Sequence, residues 1–449
     1  MTRFDRAALT LIAALIVGIA VVVLLGDHAG IGITVSPADG DNPSANTSIR
    51  IAFNQPMDIA SVESRFSIQP KVDGQITWDG NTLVFKPKTP LSAGQAYTAQ
   101  LQTGAASKLG RQTTRLLKWT FRTRQPGVLY LSLTKTQTDT LWWSALDGTG
   151  TRQVYSAPDG IDGYAVSPDG GRVALAVVDD KQGADVWLID PSGRNPTRIT
   201  NCSPGYCSQP AWLPDGSGVA YIAQDSTPIG VVPSGRIWVY DLAGKQASPM
   251  FQNATVRAAD ITWSPDGGHA AFFDPTGPGF RILDMNSGQG SFIPSQMGEM
   301  GSFSPDGLAL TYADYRPVGG QFYPEVWLAQ LGGEHGIAPL VDPPEEDRFP
   351  SWSPDNHWIA FSRRLLNRTQ GLAFQFMLYN VQSHELRQVT HDSNYNDVDY
   401  EWGPSGDVVI VQRQQLDAEP PGPQLWLYTL KTSQMTRIVS GGLDPRWLP

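Results

Sequence analysis

Three hydrophobic patterns divide this chain. Residues 31–124 alternate apolar and polar positions: Ile49, Ile51 and Phe53 in TSIRIAF, Leu83 and Phe85 in NTLVFKP, Tyr97 and Leu101 in QAYTAQL, Trp119 and Phe121 in LKWTF. A period of two lays one face of a strand on a core and leaves the other in water. Pro, Gly, Asn and Asp fill the gaps, so about six or seven short strands in a sandwich are predicted here. From Gln125 onward the strands are organised by a repeat. An apolar residue followed by Ser-Pro-Asp-Gly, or a near copy, recurs with its Pro at 168, 214, 265, 305, 354 and 404, and a fragment ends at Pro449. The intervals are 46, 51, 40, 49, 50 and 45 residues. An all-strand period of about 40–50 residues is that of propeller blades.

The third pattern is an unbroken apolar run, Ala7 to Gly26, 20 residues without a charge. At about 1.5 Å per residue a helix of that length matches a bilayer core of about 30 Å. A secretory signal has a shorter apolar run and a small-x-small cleavage site, which Gly26-Asp27-His28-Ala29-Gly30 supplies poorly. The expectation is a single-pass anchor over 7–26, with a cleaved signal as the alternative. Arg3 and Arg6 would keep residues 1–6 cytoplasmic and send the bulk of the chain to the extracytoplasmic side.

Each propeller period carries the same order of strands. After the turn comes a strand such as Ile359-Ala360-Phe361, then one such as Val186-Trp187-Leu188, then a short fourth such as Arg198-Ile199-Thr200. The motif has a mechanical reason. The aromatic at 212, 263, 303, 352, 402 and 447 can wedge between twisted sheets, Pro fixes φ, and Asp-Gly makes the turn. Turn chemistry alone accounts for those recurrent Asp residues. Val166 replaces the aromatic in the first copy, and EWGPSGD at 401–407 loosens the sixth.

The ends complete each other. Gln125 to Tyr155 holds Val128-Leu129-Tyr130, Leu141-Trp142-Trp143 and Arg152-Gln153-Val154-Tyr155, three strands of a blade without its first. Asp444 to Pro449 is a first strand without a blade. Paired, they would close a propeller of seven blades over 126–449 and remove the raw sheet edges. The fold class expected is therefore all-β, with an N-terminal transmembrane helix, an Ig-like sandwich over 31–124, and a seven-bladed propeller closed by the C-terminal strand.

Two resemblances accompany this reading. The stretch from SPADGDNPSANTSIRIAFNQPMD to LSAGQAYTAQL resembles bacterial Ig-like domains of the SbsA type, which implies a spacer or adhesive module without catalysis. The repeats resemble the WD-like repeats of TolB-type β-propellers over 126–449. That family is typically six-bladed, so a count of seven departs from it. The resemblance implies a fold and leaves function open, since such propellers serve many purposes.

Composition narrows the chemistry. Lys and Arg number 33 against 43 Asp and Glu, a net charge of −10. No basic cluster rises above scatter, which argues against nucleic acid as a partner. The two cysteines, Cys202 and Cys207, flank Pro204-Gly205, a turn suited to folding the thiols together. A disulfide is expected in an oxidising compartment, with free thiols as the alternative.

No HExxH, GxSxG, GxxxxGK[ST] or CxxC pattern is present, and the six His are scattered. Asp392, Asn394 and Asn396 have the alternate oxygen spacing that suits Ca²⁺, but the Gly and Glu of a calcium loop are missing. The remaining reading of that stretch is a solvated acidic loop. No other cofactor is indicated. Asp162, Asp260, Asp347, Asp399 and Asp444 each lie a few residues before a motif copy, which places them at the mouth of the central channel. Such a ring of like charges would suit a basic peptide segment or a metal-bridged ligand. Turn-capping is the competing role. The function expected is a binding or scaffold protein of the cell envelope with a protein or peptide partner, and not an enzyme. The alternatives are a channel-mouth enzyme of glycosidase or lactonase type and a TolB-like part of an envelope transport or assembly machine.

Overall fold

The computed structural model describes residues 30–133, 138–225, 235–331, 336–342, 345–367, 371–416 and 422–449. These residues are all-β with one short helix, Ile59–Glu63, whose N-cap Asp58 accepts from the Ser61 N–H. The chain divides into two compact units after Arg124. The expected fold class is corrected on one point. No helix among the described residues is long and apolar enough to cross a membrane. The anchor expected over 7–26 lies outside the described residues, so the transmembrane helix and the single-pass membrane location have no support in this fold and are not carried further.

The first unit is a sandwich. One sheet orders Ile33–Ser36, Ile49–Phe53, Thr82–Pro87 and Gly74–Asp79; the other orders Phe66–Gln69, Ala96–Leu101 and Leu117–Arg122. The alternating positions read from the sequence form its core: Ile49, Ile51, Leu83, Leu101 and Phe121 are fully buried.

In the second unit each blade is an antiparallel run of strands, and none of the described sheets closes on itself. Seven innermost strands pack one against the next: Ile161–Val166, Tyr206–Trp212, Ala259–Trp263, Glu299–Phe303, Glu346–Trp352, Tyr395–Trp402 and Gly442–Leu448. They head blades 1 to 7 in that order. Gly442–Leu448 pairs antiparallel with Gly127–Leu133, so blade 7 is built from both ends of this unit. Blades 1 and 2 also share a single parallel pair, Ala184 with Tyr206. A separate apolar cluster fills each of the seven interfaces between blades, which is what closes the ring.

The motif acts at the blade ends. Ser167, Ser264, Ser304 and Ser353 donate to the Asp two residues on and accept the N–H five residues on. The turn Asp residues are thereby occupied. The indole N–H of Trp212 donates to Ala165 O and that of Trp402 to Ser351 O, both 3.1 Å, each tying one blade to its predecessor.

Candidate functional site

The seven innermost strands share a device that sequence reading did not reveal. Each has a register shift that begins two to four residues before its motif aromatic or Val166. A β-bulge leaves one residue unpaired and turns its side chain out of the ladder. At Gln209, Asp260, Phe349, Asp399 and Asp444 this residue has φ between 49° and 56°. Asp tolerates that left-handed conformation better than most residues, because its short polar side chain bonds locally. Backbone geometry therefore selects Asp at some of these points. Neighbouring blades cap the bulges: Asp260 N–H donates to Gln209 Oε1, Phe349 N–H to Glu299 Oε1, and Asp444 N–H to Gln412 Oε1.

Four of the five expected Asp residues lie at these bulges. Asp399 and Asp444 come together, with Arg446 between them: Nη2 is 2.6 Å from Asp444 Oδ1 and Nη1 is 3.8 Å from Asp399 Oδ2. Asp162 bonds to the Tyr206 hydroxyl of the next blade, and Asp260 stands on blade 3. Asp347 is elsewhere. It is buried inside blade 5 in a two-pronged pair with Arg363, 2.7 and 2.6 Å. Its counterpart in blade 6 is Asp397, paired with Arg413; both carboxylates lie five residues before the motif Trp. The position equivalent to Asp399 in blade 5 is Phe349. The ring of like charges is thus broken by Arg446 and by the withdrawal of Asp347.

The stretch expected to be an acidic loop is largely the innermost strand of blade 6, Tyr395–Trp402. Asp392 Oδ1 accepts from Asn394 N–H, and Asn396 Oδ1 accepts from Phe374 N–H. Both oxygens serve the backbone. Among the described residues no group of three or more His, Cys, Asp or Glu is arranged to hold a metal ion. Cys202 and Cys207 form a disulfide with Cα atoms 5.9 Å apart.

Two residues that lie directly before a motif Trp complete the site. Glu401 accepts the Trp447 N–H at 2.9 Å, and Arg446 stands beside it on blade 7. Glu401 also lines a cavity of about 250 Å³, with Thr262, Ser302 and Ser351 at the same register of blades 3, 4 and 5. Counting back one residue from the motif aromatics of blades 3 to 7 would have exposed this polar arc; in blades 1 and 2 the position is Ala165 and Ala211. Asp162 and Asp260 are exposed and Asp399 and Glu401 half-buried, yet all are ringed by protein, and that sets their proton affinities. Burial raises Asp162, Asp260 and Asp399, the last against the pull of Arg446. Burial raises Glu401 to about 7, opposed by Arg446 and the Trp447 N–H, and assisted by Asp399 and Asp444. Tyr164 is held well above its ordinary value by burial; its hydroxyl donates to Leu129 O and Asp444 O.

This electrostatic arrangement makes a measurable claim. Carbon-13 NMR of labelled Glu should show two carboxyls titrating near pH 7, those of Glu401 and Glu325, with Glu401 identified as the one that substitutions at Arg446 and Asp399 move. Arg446→Gln removes a stabilising cation and moves the midpoint higher; Asp399→Asn removes a repelling anion and moves it lower. A midpoint near 4 in the parent would refute the burial.

The fold defines a class: a two-unit all-β protein joining an Ig-like sandwich to a seven-bladed propeller. Comparison with known family models bears on the first unit alone. Residues 32–123 match the family described as bacterial Ig-like domain. No curated protein matches the chain. Among solved structures, TolB from Acinetobacter baumannii is similar at 13% identity, over 93% of this chain and 100% of that one, with TM-score 0.45. An oligogalacturonate lyase in complex with manganese is similar at 16% identity over 68% and 85%, TM-score 0.49. Oligogalacturonate lyase from Vibrio parahaemolyticus is similar at 12% over 70% and 85%, TM-score 0.47. Likeness at this level carries no activity over to this chain.

Proposed function

We propose that this is a binding protein without catalytic activity, its propeller a platform for a protein or peptide partner and its Ig-like unit a structural module. One observation supports this above the rest. Tyr315, Val318, Phe322, Leu372 and Leu416 are exposed large apolar side chains on blades 4, 5 and 6. Tyr315, Val318 and Phe322 lie at the hairpin end of the second and third strands of blade 4, and Leu372 and Leu416 lie in the corresponding connections of blades 5 and 6, which leave antiparallel blades at the same end. Clustered exposed apolar groups mark interaction surfaces. Several of the channel's charges, by contrast, are engaged with each other: Arg446 with Asp399 and Asp444, and Arg348 with Glu299 through Nε at 2.8 Å.

A photo-crosslinking residue placed at Leu372 or Leu416 should capture a partner from extract, whereas one at Leu308 should not. Leu308 is 52% exposed but lies in the turn at the opposite end of its blade. Equal capture from both ends would defeat the proposal. A channel enzyme is the second reading, favoured by Glu401, a carboxyl raised to about 7 in a cavity walled mainly by Trp, Phe and Pro side chains. Turnover of a glycoside or lactone that is lost in Glu401→Gln would establish it instead.

A further inference from the structure

Blade 4 departs from its neighbours. Its second and third strands, Ala309–Val318 and Gln321–Gln330, are ten residues each, the longest among the described residues. Pairing with the first strand stops at Ala313, opposite Glu299, and pairing with the fourth stops at Trp327, opposite Pro339. Asp314–Val318 and Gln321–Glu325 therefore run past the blade as a two-stranded ribbon. Such a ribbon would flex or aggregate unless tied down. Arg316 ties it, bonding Glu325 at 3.1 Å and Asp342 at 2.9 Å, and the Trp327 indole N–H donates to Asp314 O at 3.2 Å.

Cross-strand pairs Tyr315 with Pro324 and Pro317 with Phe322 lie opposite each other. Phe322 is 64% exposed and Tyr315 41%. With Pro278 and Pro294 of blade 3, the side chains of Tyr315, Pro317 and Phe322 line a groove of about 500 Å³, within the range of ligand-binding clefts. Asp314 lies in the same groove. Its Oδ1 accepts the N–H groups of Gln296 and Met297, both 3.0 Å, which fixes the carboxylate in place.

We propose that this groove binds an extended, proline-bearing segment of a partner protein that carries a Lys or Arg opposite Asp314. The inference rests on the binding reading above and names its ligand class. Three of the wall residues are prolines, which offer no N–H, so strand addition along this wall would lack donors. Recognition must come from packing on aromatic and proline faces. A segment in the polyproline II conformation suits that, since it is already extended and has no internal backbone bonds to satisfy. The fixed carboxylate and the net charge of −10 select a basic segment over an acidic one.

The test uses the full chain and fluorescein-labelled synthetic peptides of Pro-x-x-Pro pattern, in a lysine series and a matched glutamate series, read by anisotropy. The lysine series should bind saturably and the glutamate series weakly. Phe322→Ala should weaken binding by about tenfold or more, as expected of an aromatic anchor. Asp314→Asn keeps an oxygen for both backbone N–H groups and should erase the lysine preference. Phe322 is too exposed for its loss to threaten the fold. Binding unchanged in Phe322→Ala, or no binding of either series, overturns the assignment. A dimer of the parent that Phe322→Ala dissociates in sedimentation also overturns it, in favour of a second copy as occupant. If crosslinks from Leu372 persist in Phe322→Ala, the binding function stands and the groove alone fails.

Discussion

Deleting Asp444–Pro449 should abolish the cooperative thermal transition of the propeller or lower its midpoint by more than about 10 °C. These residues are most of the innermost strand of blade 7. Leu448 is 1% exposed and sits in the cluster between blades 7 and 1, with Leu129, Leu141 and Val173. Trp447 packs in the cluster between blades 6 and 7, with Tyr130 and Ile410. Removing either large side chain costs about 2–5 kcal/mol. The deletion also removes Asp444 O, one of the two acceptors of the Tyr164 hydroxyl, and strips Gly127–Leu133 of its partner on one edge. For a unit of this size about 1 kcal/mol shifts the midpoint by roughly 2–4 °C. Leu448→Ala alone should therefore lower it by several degrees. Calorimetry that placed the deletion within about 2 °C of the parent would show that the ring does not depend on this strand.

The second large effect separates two kinds of aspartate. Asp347→Ala should destabilise the protein by about 3–5 kcal/mol, because it strands the Arg363 guanidinium inside blade 5. Arg363→Met should do the same to the carboxylate. The double variant Asp347→Leu with Arg363→Met should recover most of the loss, since burying both charges was itself costly. Asp399→Asn, at a bulge open to the channel, should change stability by less than about 1 kcal/mol. Urea titrations of the four variants decide it. An Asp347→Ala variant as stable as Asp399→Asn would mean that the pair does not form.

That contrast shows how far the sequence could be read. The motif copies gave the blade count and the strand order, because Ser-Pro-Asp-Gly turns are local devices whose residues bond within five positions of each other. The split blade was legible because its halves carried complementary strands. The candidate site was legible only in part. Asp347, Asp399 and Asp444 looked alike as acidic residues shortly before a motif, yet two positions separate a buried ion pair from a channel bulge. The recurrence of Arg sixteen residues after Asp347 and Asp397 was a usable signal, and so was the polar arc at Thr262, Ser302, Ser351 and Glu401.

By itself the sequence determined that this is an all-β protein of two units, with alternating strands in the first and a turn-punctuated repeat in the second. Those properties follow from period-two burial and turn chemistry, which act between near neighbours. The tertiary structure decided which charges meet. Arg446 reaches Asp399 only because the chain end returns to pair with Gly127–Leu133 and sets blade 7 beside blade 6. The groove at Phe322 exists because two strands of blade 4 outrun their partners beside Pro278 and Pro294 of blade 3. Neither meeting has a signature in local sequence, because each depends on the packing of blades brought together by ring closure.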